Sequence, residues 1–577
     1  MSWITIARNI SIAVLLPVVA TAAPDGPEAS RSETPRVSPA RGIERSPNRP
    51  ERRRRPADEG VRSIDGSGNN RDVPSMGASH TDLLRLVEPE YDDGVSSLAG
   101  PQRASARAVS NAVADQRESI PNALLATDFL WQWGQFLDHD IDLTDGVDPP
   151  EPADIPVPLG DAYFDPEGAG DIAIAFNRSI YDPATGSDAR NPRQQLNEIS
   201  SWIDASNVYG SDAERSAALR TNDGTGRLRT SEGNLLPFNE TGLPNAGGSG
   251  SGLFLAGDVR ANEQVGLTAL HTLFVREHNR LVAAIAAENP ELGGDALYER
   301  ARRIVGAEMQ VITYREYLPA LLGRGAIARY TGYDPEVDAR IANLFSGALY
   351  RYGHSALSPT LLRLDDQGQE IAAGHLALRD AFFSPWRLVL EGGVEPILRG
   401  LATQRCQAID PFVVDDVRNF LFGEPGAGGF DLAALNIQRG RDHGLPSYNA
   451  TRRALGLGSA ESFADLSSDP EIQARLASVY DTVEDIDLWV GGLAEDPLPR
   501  SHVGELVFTV LKEQFEALRD GDRFWWTYSL DRRDRALVAR TRLSDVIRRN
   551  SEIGDELPDD VFHAGALRPS GGERRRP

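Results

Sequence analysis

The chain of 577 residues contains one cysteine, Cys406, and one lysine, Lys512. No disulfide can form within it, so the fold must rest on packing, with a metal or cofactor as an optional further support. The lone thiol is read as a buried, inert side chain, with an intermolecular bridge as the alternative. Beyond the N-terminus no apolar run approaches the roughly 20 residues that cross a bilayer, so no membrane span is expected. No repeat of a fixed period is visible, which argues against solenoids and propellers. Runs that alternate apolar and polar residues are scarce, so the fold class is expected to be mainly α, with very little β structure. The near absence of lysine leaves arginine as the source of positive charge, which does not discriminate function.

Acidic residues number 85 against 60 basic ones, a net charge of -25. Residues 1–61 and the GERRRP tail are net basic, so the acidic excess lies between residues 62 and 572. Such a field disfavours nucleic acid and anionic membranes as partners and favours solubility. Residues 1–23, with Arg8 followed by ISIAVLLPVVATA and small residues at Ala20, Ala22 and Ala23, have the pattern of a secretion signal, implying a secreted or periplasmic protein. Residues 24–61, rich in Arg, Pro, Glu and Ser, bury too little to repay ordering and are expected to be a disordered leader. Ordered structure is expected from near Ile64, in one large domain over 62–565, with a disordered tail at 566–577.

Within that domain, WQWGQFLDHDIDLT at 131–144 places Gln135, Asp138, His139 and Asp140 on one segment. Phe129, Trp133, Phe136 and Leu137 recur at helical spacing, predicting an amphipathic helix. Gln135 and His139 share a face, while Asp138 and Asp140 diverge on either side of it. A solvated helix end would read the same way. Residues 145–170 form an acidic, Pro/Gly-rich loop. In NEISSWIDASNVYGS, residues 197–211, Ser200, Trp202, Asp204 and Ser206 fall at every second position. Alternate side-chain oxygens suit a loop wrapped around a hard cation such as calcium, and suit equally an ordinary loop or a strand edge.

The spacing of Leu267, Leu270, Phe274, His278, Leu281 and Ile285 predicts a helix over 265–288, ended by Asn289-Pro290, with His271 and His278 in packing roles. Two more helices are predicted over 298–318 and through Val507–Leu518, the second stopped by Asp520-Gly521. Arg260 and Glu263, three apart in LFLAGDVRANEQ, are able to face one site. Two further polar clusters are ALYRYGHS, with Arg351 and His354, and ALNIQRGRDHGLPSYN, with Asn436, Arg439, Arg441, Asp442 and His443. Each is open to the reading of a salt-bridged helix end.

The segments WGQFLDHD, SSWIDASNVYGS, LAGDVRANE, REHNRL, YRYGH and LNIQRGRDHGLPSYN, in this order, resemble the animal-type haem peroxidases of the peroxidase-cyclooxygenase superfamily, bacterial branch included. The resemblance implies a helix-rich single domain around haem b. It implies that His139 is the distal histidine, with Gln135 its neighbour and Arg260 the distal arginine. It makes His354 the axial iron ligand, hydrogen-bonded through its other nitrogen to Asn436, and sets Arg351 among the haem-binding residues. Asp138 and Glu263 correspond to carboxylates that become esters with haem methyl groups. Asp140, Ser200, the Trp202 carbonyl, Asp204 and Ser206 correspond to a calcium site, with Ser200 where the family usually has threonine. Gln264 stands where the most oxidising member has a methionine bonded to a haem vinyl, so that link is expected to be absent.

The implied reaction is peroxide-dependent oxidation of small donors (phenols, iodide, thiocyanate or bromide) through a ferryl intermediate. The partners are hydrogen peroxide and small reductants, without nucleic acid or an obligate protein. Two alternatives stand beside it. A cyclooxygenase-type fatty-acid dioxygenase would carry a radical-forming tyrosine three residues before the axial histidine, where this chain has Arg351 between Tyr350 and Tyr352. A non-catalytic matrix or adhesion protein would have kept the fold without needing the full set of site residues.

Overall fold

The computed structural model describes residues 60–565 and 567. The expected signal peptide, nearly all of the leader and nearly all of the tail lie outside them. Already at Arg62 the chain is tied into the fold: its Nη2 pairs with Asp522 at 2.9 Å, so ordered contacts begin slightly before Ile64.

Helices dominate, as the scarcity of period-2 runs predicts. Strands among the described residues are three two-residue antiparallel pairs, Thr81–Asp82 with Leu196–Asn197, Ile155–Pro156 with Ala173–Ile174, and Thr360–Leu361 with Leu376–Ala377. Seven helices frame the interior: α1 (Ala106–Val113), α2 (Phe129–Ile141), α3 (Val265–Glu288), α4 (Gly294–Ile312), α5 (Leu432–Asp442), α6 (Glu505–Asp520) and α7 (Leu543–Asn550). α3 packs along α4 and against α2 and α7, while α1 lies on α5. No helix among the described residues is long and apolar enough to cross a membrane.

The 265–288 helix matches its predicted span, and α6 ends at Asp520 where Asp520-Gly521 stops it. The 298–318 expectation needs correction. α4 begins at Gly294 and ends at Ile312, and a wider π-type turn, Thr313–Tyr317, leads into Leu318–Leu322. That turn carries Tyr317, whose hydroxyl meets those of Tyr350 and Tyr352 at 3.0 and 2.5 Å. Tyr317 in turn presses on Gly134 of α2, where a Cβ would lie 3.1 Å from its hydroxyl.

α2 is also more deeply placed than an amphipathic helix. Eleven of its residues are buried, His139 and Asp140 among them, so a solvated helix end is excluded. Trp133 and Phe136 meet Phe274 of α3 at ring-centroid distances of 5.8 and 5.2 Å. The interior around it is stitched by buried charge. Arg107 of α1 is fully buried, donating at 2.7 Å to Asp161 of the 145–170 loop and at 2.7 Å to Asp431 at the start of α5.

At the head of α2, Asp128 accepts hydrogen bonds from Trp131 Nε1 at 2.9 Å and Ser358 Oγ at 2.7 Å. Burial pushes this carboxyl from its ordinary 3.8 to about 7. A carboxyl raised in the folded state binds its proton more tightly there than in the unfolded chain, so its contribution is complete below about pH 4 and is lost as pH rises through about 7. Asp128→Asn, which is neutral at every pH, is expected to flatten this component of the stability–pH curve. Urea unfolding of both proteins between pH 5 and 8 checks it: equal pH slopes in wild type and variant would contradict the assignment.

Candidate active site

Four elements bring the site together. α2 supplies Gln135, Asp138 and His139; the turn before α3 supplies Arg260, Glu263 and Gln264; and the 3-10 helix Leu349–His354, packed against α2 and α5, supplies Arg351 and His354. Asn436 reaches in from α5.

His139 is 4% exposed, and its Nδ1 lies 3.4 Å from Asp258 Oδ1 without the alignment of a hydrogen bond. Burial, followed by the Arg260 charge, holds its imidazole well below the usual histidine range, so the ring is a neutral base. Arg260 forms a two-pronged ion pair with Asp258, Nε and Nη2 each donating at 2.9 Å. Its Nη2 also donates to the Asp142 carbonyl at 2.8 Å, and its Nη1 lies 3.7 Å from Asp138 Oδ2. Burial pushes Asp138 up to about 7, with the Asp142 charge adding and Arg260 and Arg351 opposing. Glu263 is likewise raised to about 7 by burial against the pull of Arg260.

The amides of three glutamines form a chain beside these carboxylates. Gln135 Nε2 donates to Glu263 at 3.0 Å, and its Oε1 accepts from Gln264 Nε2 at 3.1 Å. Gln264 Nε2 also donates to Gln132 Oε1 at 2.6 Å, while its own Oε1 caps α3 by accepting from the Gly266 N–H at 2.6 Å. Gln264 is therefore both a helix cap and the clamp on Gln135.

On the other side, His354 is held neutral, its value lowered to about 3 by burial and then by Arg351. Its Nδ1 meets the Asn436 amide at 2.8 Å, and Asn436 Oδ1 is buried without a partner when Nδ2 faces the ring. Turning the amide satisfies both groups: Oδ1 accepts from Nδ1–H, and Nε2 keeps a free lone pair. Arg351 anchors its Nε on the Ser346 carbonyl at 2.7 Å, and burial lowers its value. Arg439, half-buried, is lowered to about 10 by desolvation against the pull of Asp442 at 3.3 Å, with the Arg351 charge adding to the shift. Two half-buried guanidinium groups whose charges act on one another, with Asp442 3.3 Å from Arg439 as a partial counter-charge, favour an anion between them.

Asp140 turns away from all of these. Its carboxylate accepts from the N–H groups of Asp204 at 3.1 Å, Ala205 at 3.2 Å and Asn207 at 3.4 Å. Ser206 Oγ donates to the Asp140 carbonyl at 2.7 Å, and Ser200 Oγ to Asp204 Oδ2 at 3.1 Å. Trp202 lies between them in sequence, fully buried, its Nε1 on the Gly66 carbonyl at 3.0 Å. Burial, with Asp204 next, raises Asp140 well above the carboxylate range, and burial raises Asp204. Among the described residues no three His, Cys, Asp or Glu side chains converge as a metal site. This cluster offers two carboxylates together with hydroxyl and main-chain oxygens, an oxygen-only set that suits a hard cation.

All thirteen residues singled out in the sequence thus fall into two adjoining clusters. His271 and His278 are buried on α3, as expected of packing residues. Of the LNIQRGRDHG cluster, Arg441 and Asp442 are committed elsewhere: Arg441 pairs with Asp487 at 2.7 Å, and Asp442 with Arg178 at 2.6 Å. His443 bonds Ser179 at 2.8 Å and Asn343 at 2.7 Å. Two features went unread. One is Asp258, detectable in principle from its D-x-R spacing, since Asp338 and Arg340 fold into the same local fork. The other is an aromatic wall beside Glu263, where Phe422 meets Phe382 and Phe383 at 5.2 and 5.0 Å. The Phe383 N–H donates to the Glu263 carbonyl at 3.3 Å, and nothing in the sequence pairs these phenylalanines.

A mainly helical domain that buries a neutral histidine beside an arginine, faces it with a second neutral histidine and flanks both with raised carboxyls has the layout of a haem-peroxidase domain. Residues 61–562 match the animal haem peroxidase family, and the chain belongs to that family of peroxidases. It is 38% identical to thyroid peroxidase of Sus scrofa, over 87% of this chain and 60% of that protein. It is 38% identical to human eosinophil peroxidase, over 87% of this chain and 76% of that protein. Against peroxinectin A of Dictyostelium discoideum it is 36% identical, over 86% and 95%. The chain thus spans about 60% of the length of thyroid peroxidase and most of peroxinectin A. Among solved structures, peroxidase A of Dictyostelium discoideum superposes with a TM-score of 0.82 at 35% identity, covering 88% of this chain and all of that one. A fatty acid alpha-dioxygenase of Oryza sativa shares the fold, with a TM-score of 0.71 at 23% identity over 87% of each chain.

Because Gln264 caps α3 and holds Gln135, Gln264→Ala removes one cap and two amide bonds. A loss of about 1–2 kcal/mol is expected, the usual cost of a helix cap with its neighbours. Chemical denaturation measures it, and a variant as stable as wild type would contradict the clamp.

Proposed function

We propose that this chain is an exported haem peroxidase that uses hydrogen peroxide to oxidise small donors. The observation that carries the reading is the neutral, buried His139 set beside the fixed guanidinium of Arg260, with the neutral His354 on the facing element. The surroundings suit haem b. The orphaned Oδ1 of Asn436 gains a partner once Nδ1–H of His354 donates to it, which frees Nε2 to bind iron. Haem, when bound, supplies the electrons that break the O–O bond.

The polypeptide moves the protons. His139 takes one from the near oxygen of peroxide and delivers it to the departing oxygen, acting as base and then acid. Arg260 stabilises the negative charge that develops on the departing oxygen, already oriented before the substrate arrives. Gln135, fixed between Glu263 and Gln264, offers its amide beside His139. Arg351 and Arg439 suit the propionates, whose charge would relieve their mutual repulsion. Asp138 and Glu263 suit ester links to the haem. Esterification removes two charges from a buried site where burial already disfavours them. Calcium at Asp140, Ser200, the Trp202 carbonyl, Asp204 and Ser206 would neutralise two more and would hold the residue next to His139 in place.

Phenols suit the aromatic wall of Phe382, Phe383 and Phe422. Iodide, thiocyanate and bromide are further donors, while the acidic field and Gln264 both argue against efficient chloride oxidation. The dioxygenase reading loses ground because Arg351, and not a tyrosine, stands three residues before His354.

His139→Ala is expected to bind haem normally and to slow peroxide-dependent guaiacol oxidation by about 10²–10⁴-fold, the range for a lost acid–base group. Full turnover in that variant would remove His139 from the mechanism. The ester links are tested by acid–acetone extraction: haem should stay with the wild-type protein after turnover and should leave an Asp138→Asn, Glu263→Gln double variant. Haem extracted equally from both would exclude the links.

A further inference from the structure

We propose that Asp258 is the positioning carboxylate of the distal site, aligning His139 and Arg260 together. The inference rests on the peroxidase reading above and deepens it. Asp258 is 3% exposed and sits where one carboxylate reaches both groups. Its Oδ1 accepts the Arg260 backbone N–H at 2.8 Å and Nε at 2.9 Å, and its Oδ2 accepts Nη2 at 2.9 Å. The same Oδ1 stands 3.4 Å from His139 Nδ1, a sealed atom with no other polar partner.

Its position is built from two sides. The Asp258 N–H donates to the Asn207 carbonyl at 3.0 Å, which ties the carboxylate to the loop that also holds Asp140. This close passage needs Gly257: a Cβ there would lie 2.4 Å from the Ser206 carbonyl oxygen and 2.6 Å from that of Asn207. The placement of Asp258 is thus set by main chain rather than by its own rotamer.

Two consequences follow for the chemistry. A carboxylate facing Nδ1 favours the tautomer with the proton there, which leaves the Nε2 lone pair as the base; once His139 has taken a proton, the same charge stabilises the imidazolium. For Arg260 the carboxylate is the strongest restraint. Without it, Asp138, 3.7 Å from Nη1, would compete for the guanidinium, and the cation would leave its place beside His139. Asp258 touches neither peroxide nor haem in this account; it acts through the two residues that do.

The test uses the haem-loaded full chain with Asp258→Asn, which is isosteric and uncharged, and Asp258→Glu, which keeps the charge. Stopped-flow absorbance gives the rate constant with hydrogen peroxide and, separately, the rate at which guaiacol reduces the oxidised protein. Soret titration gives the affinity for cyanide, whose acid form must surrender its proton to His139. Asp258→Asn is expected to lower the peroxide rate constant and weaken cyanide binding by about 10- to 100-fold, the usual effect when a functional histidine loses its outer carboxylate. The guaiacol step should stay within about twofold, since it asks nothing of Asp258. Asp258→Glu should recover part of the loss, and it also serves if the Asn variant does not fold. An Asn variant with the wild-type peroxide rate overturns the proposal. So does a parallel fall in both steps together with a lowered thermal midpoint, the sign of a structural role alone, or a Glu variant slower than the Asn variant. If the wild-type protein itself fails to react with peroxide, the peroxidase reading falls and takes this one with it; a reactive wild type isolates the test to Asp258.

Discussion

Burying charge on one helix is the constraint from which the rest of this architecture follows. α2 runs through the apolar interior between Trp133, Phe136 and Phe274, yet its last turn carries Asp138, His139 and Asp140. Each of these must be neutralised, paired or left without charge, because an unpaired ion in such surroundings costs several kcal/mol. The three solutions differ. Asp138 meets Arg260 at the edge of the site and is pushed up to about 7; His139 stays neutral; Asp140 is wrapped by the N–H groups of the 204–207 loop and still lies high. The turn around Arg260 and the loop around Asp204 are both shaped by these demands.

The polypeptide does not meet them completely. Asp140 and Asp204 remain two buried carboxyls whose charges oppose one another, and the charge of Arg351 adds to the burial that lowers Arg439, which Asp442 at 3.3 Å offsets only in part. The haem and the divalent cation proposed above would give each of these features a physical reason. In the proposal above, iron would bind His354, propionates would lie against Arg351 and Arg439, esters would remove the charge of Asp138 and Glu263, and a divalent cation would join Asp140 to Asp204. On this view the protein component is folded around holes of defined charge, and the groups that fill them belong to its stability as much as to its chemistry.

How much of this was legible from residues alone depended on range. α3 could be read from the recurrence of Leu267, Leu270, Phe274 and Ile285, because helix periodicity is a local property, and α6 from its Asp520-Gly521 stop. The thirteen candidate site residues were picked out chiefly through the ordered series of motifs, since spacing by itself left each cluster open to a solvated or salt-bridged reading. What local patterns could not carry was depth. α2 looked amphipathic because its polar residues fall together, and only the packing of α3 and of the 3-10 helix before Ser355 shows that its polar side faces an interior. Arg107 shows the same limit: it is fully buried between Asp161 and Asp431, partners 54 and 324 residues away, which no local pattern around it indicates.

The central claim is therefore that the two clusters are completed by haem and by a divalent cation, and that completion stabilises the fold. The most direct measurement is the thermal unfolding of the protein stripped of both groups, then reloaded with one equivalent each of ferric haem and calcium. A rise of about 10 °C or more is predicted, as for ligands that bind only the folded state at high occupancy. An unchanged midpoint, with no Soret band developing on addition of haem, would contradict it.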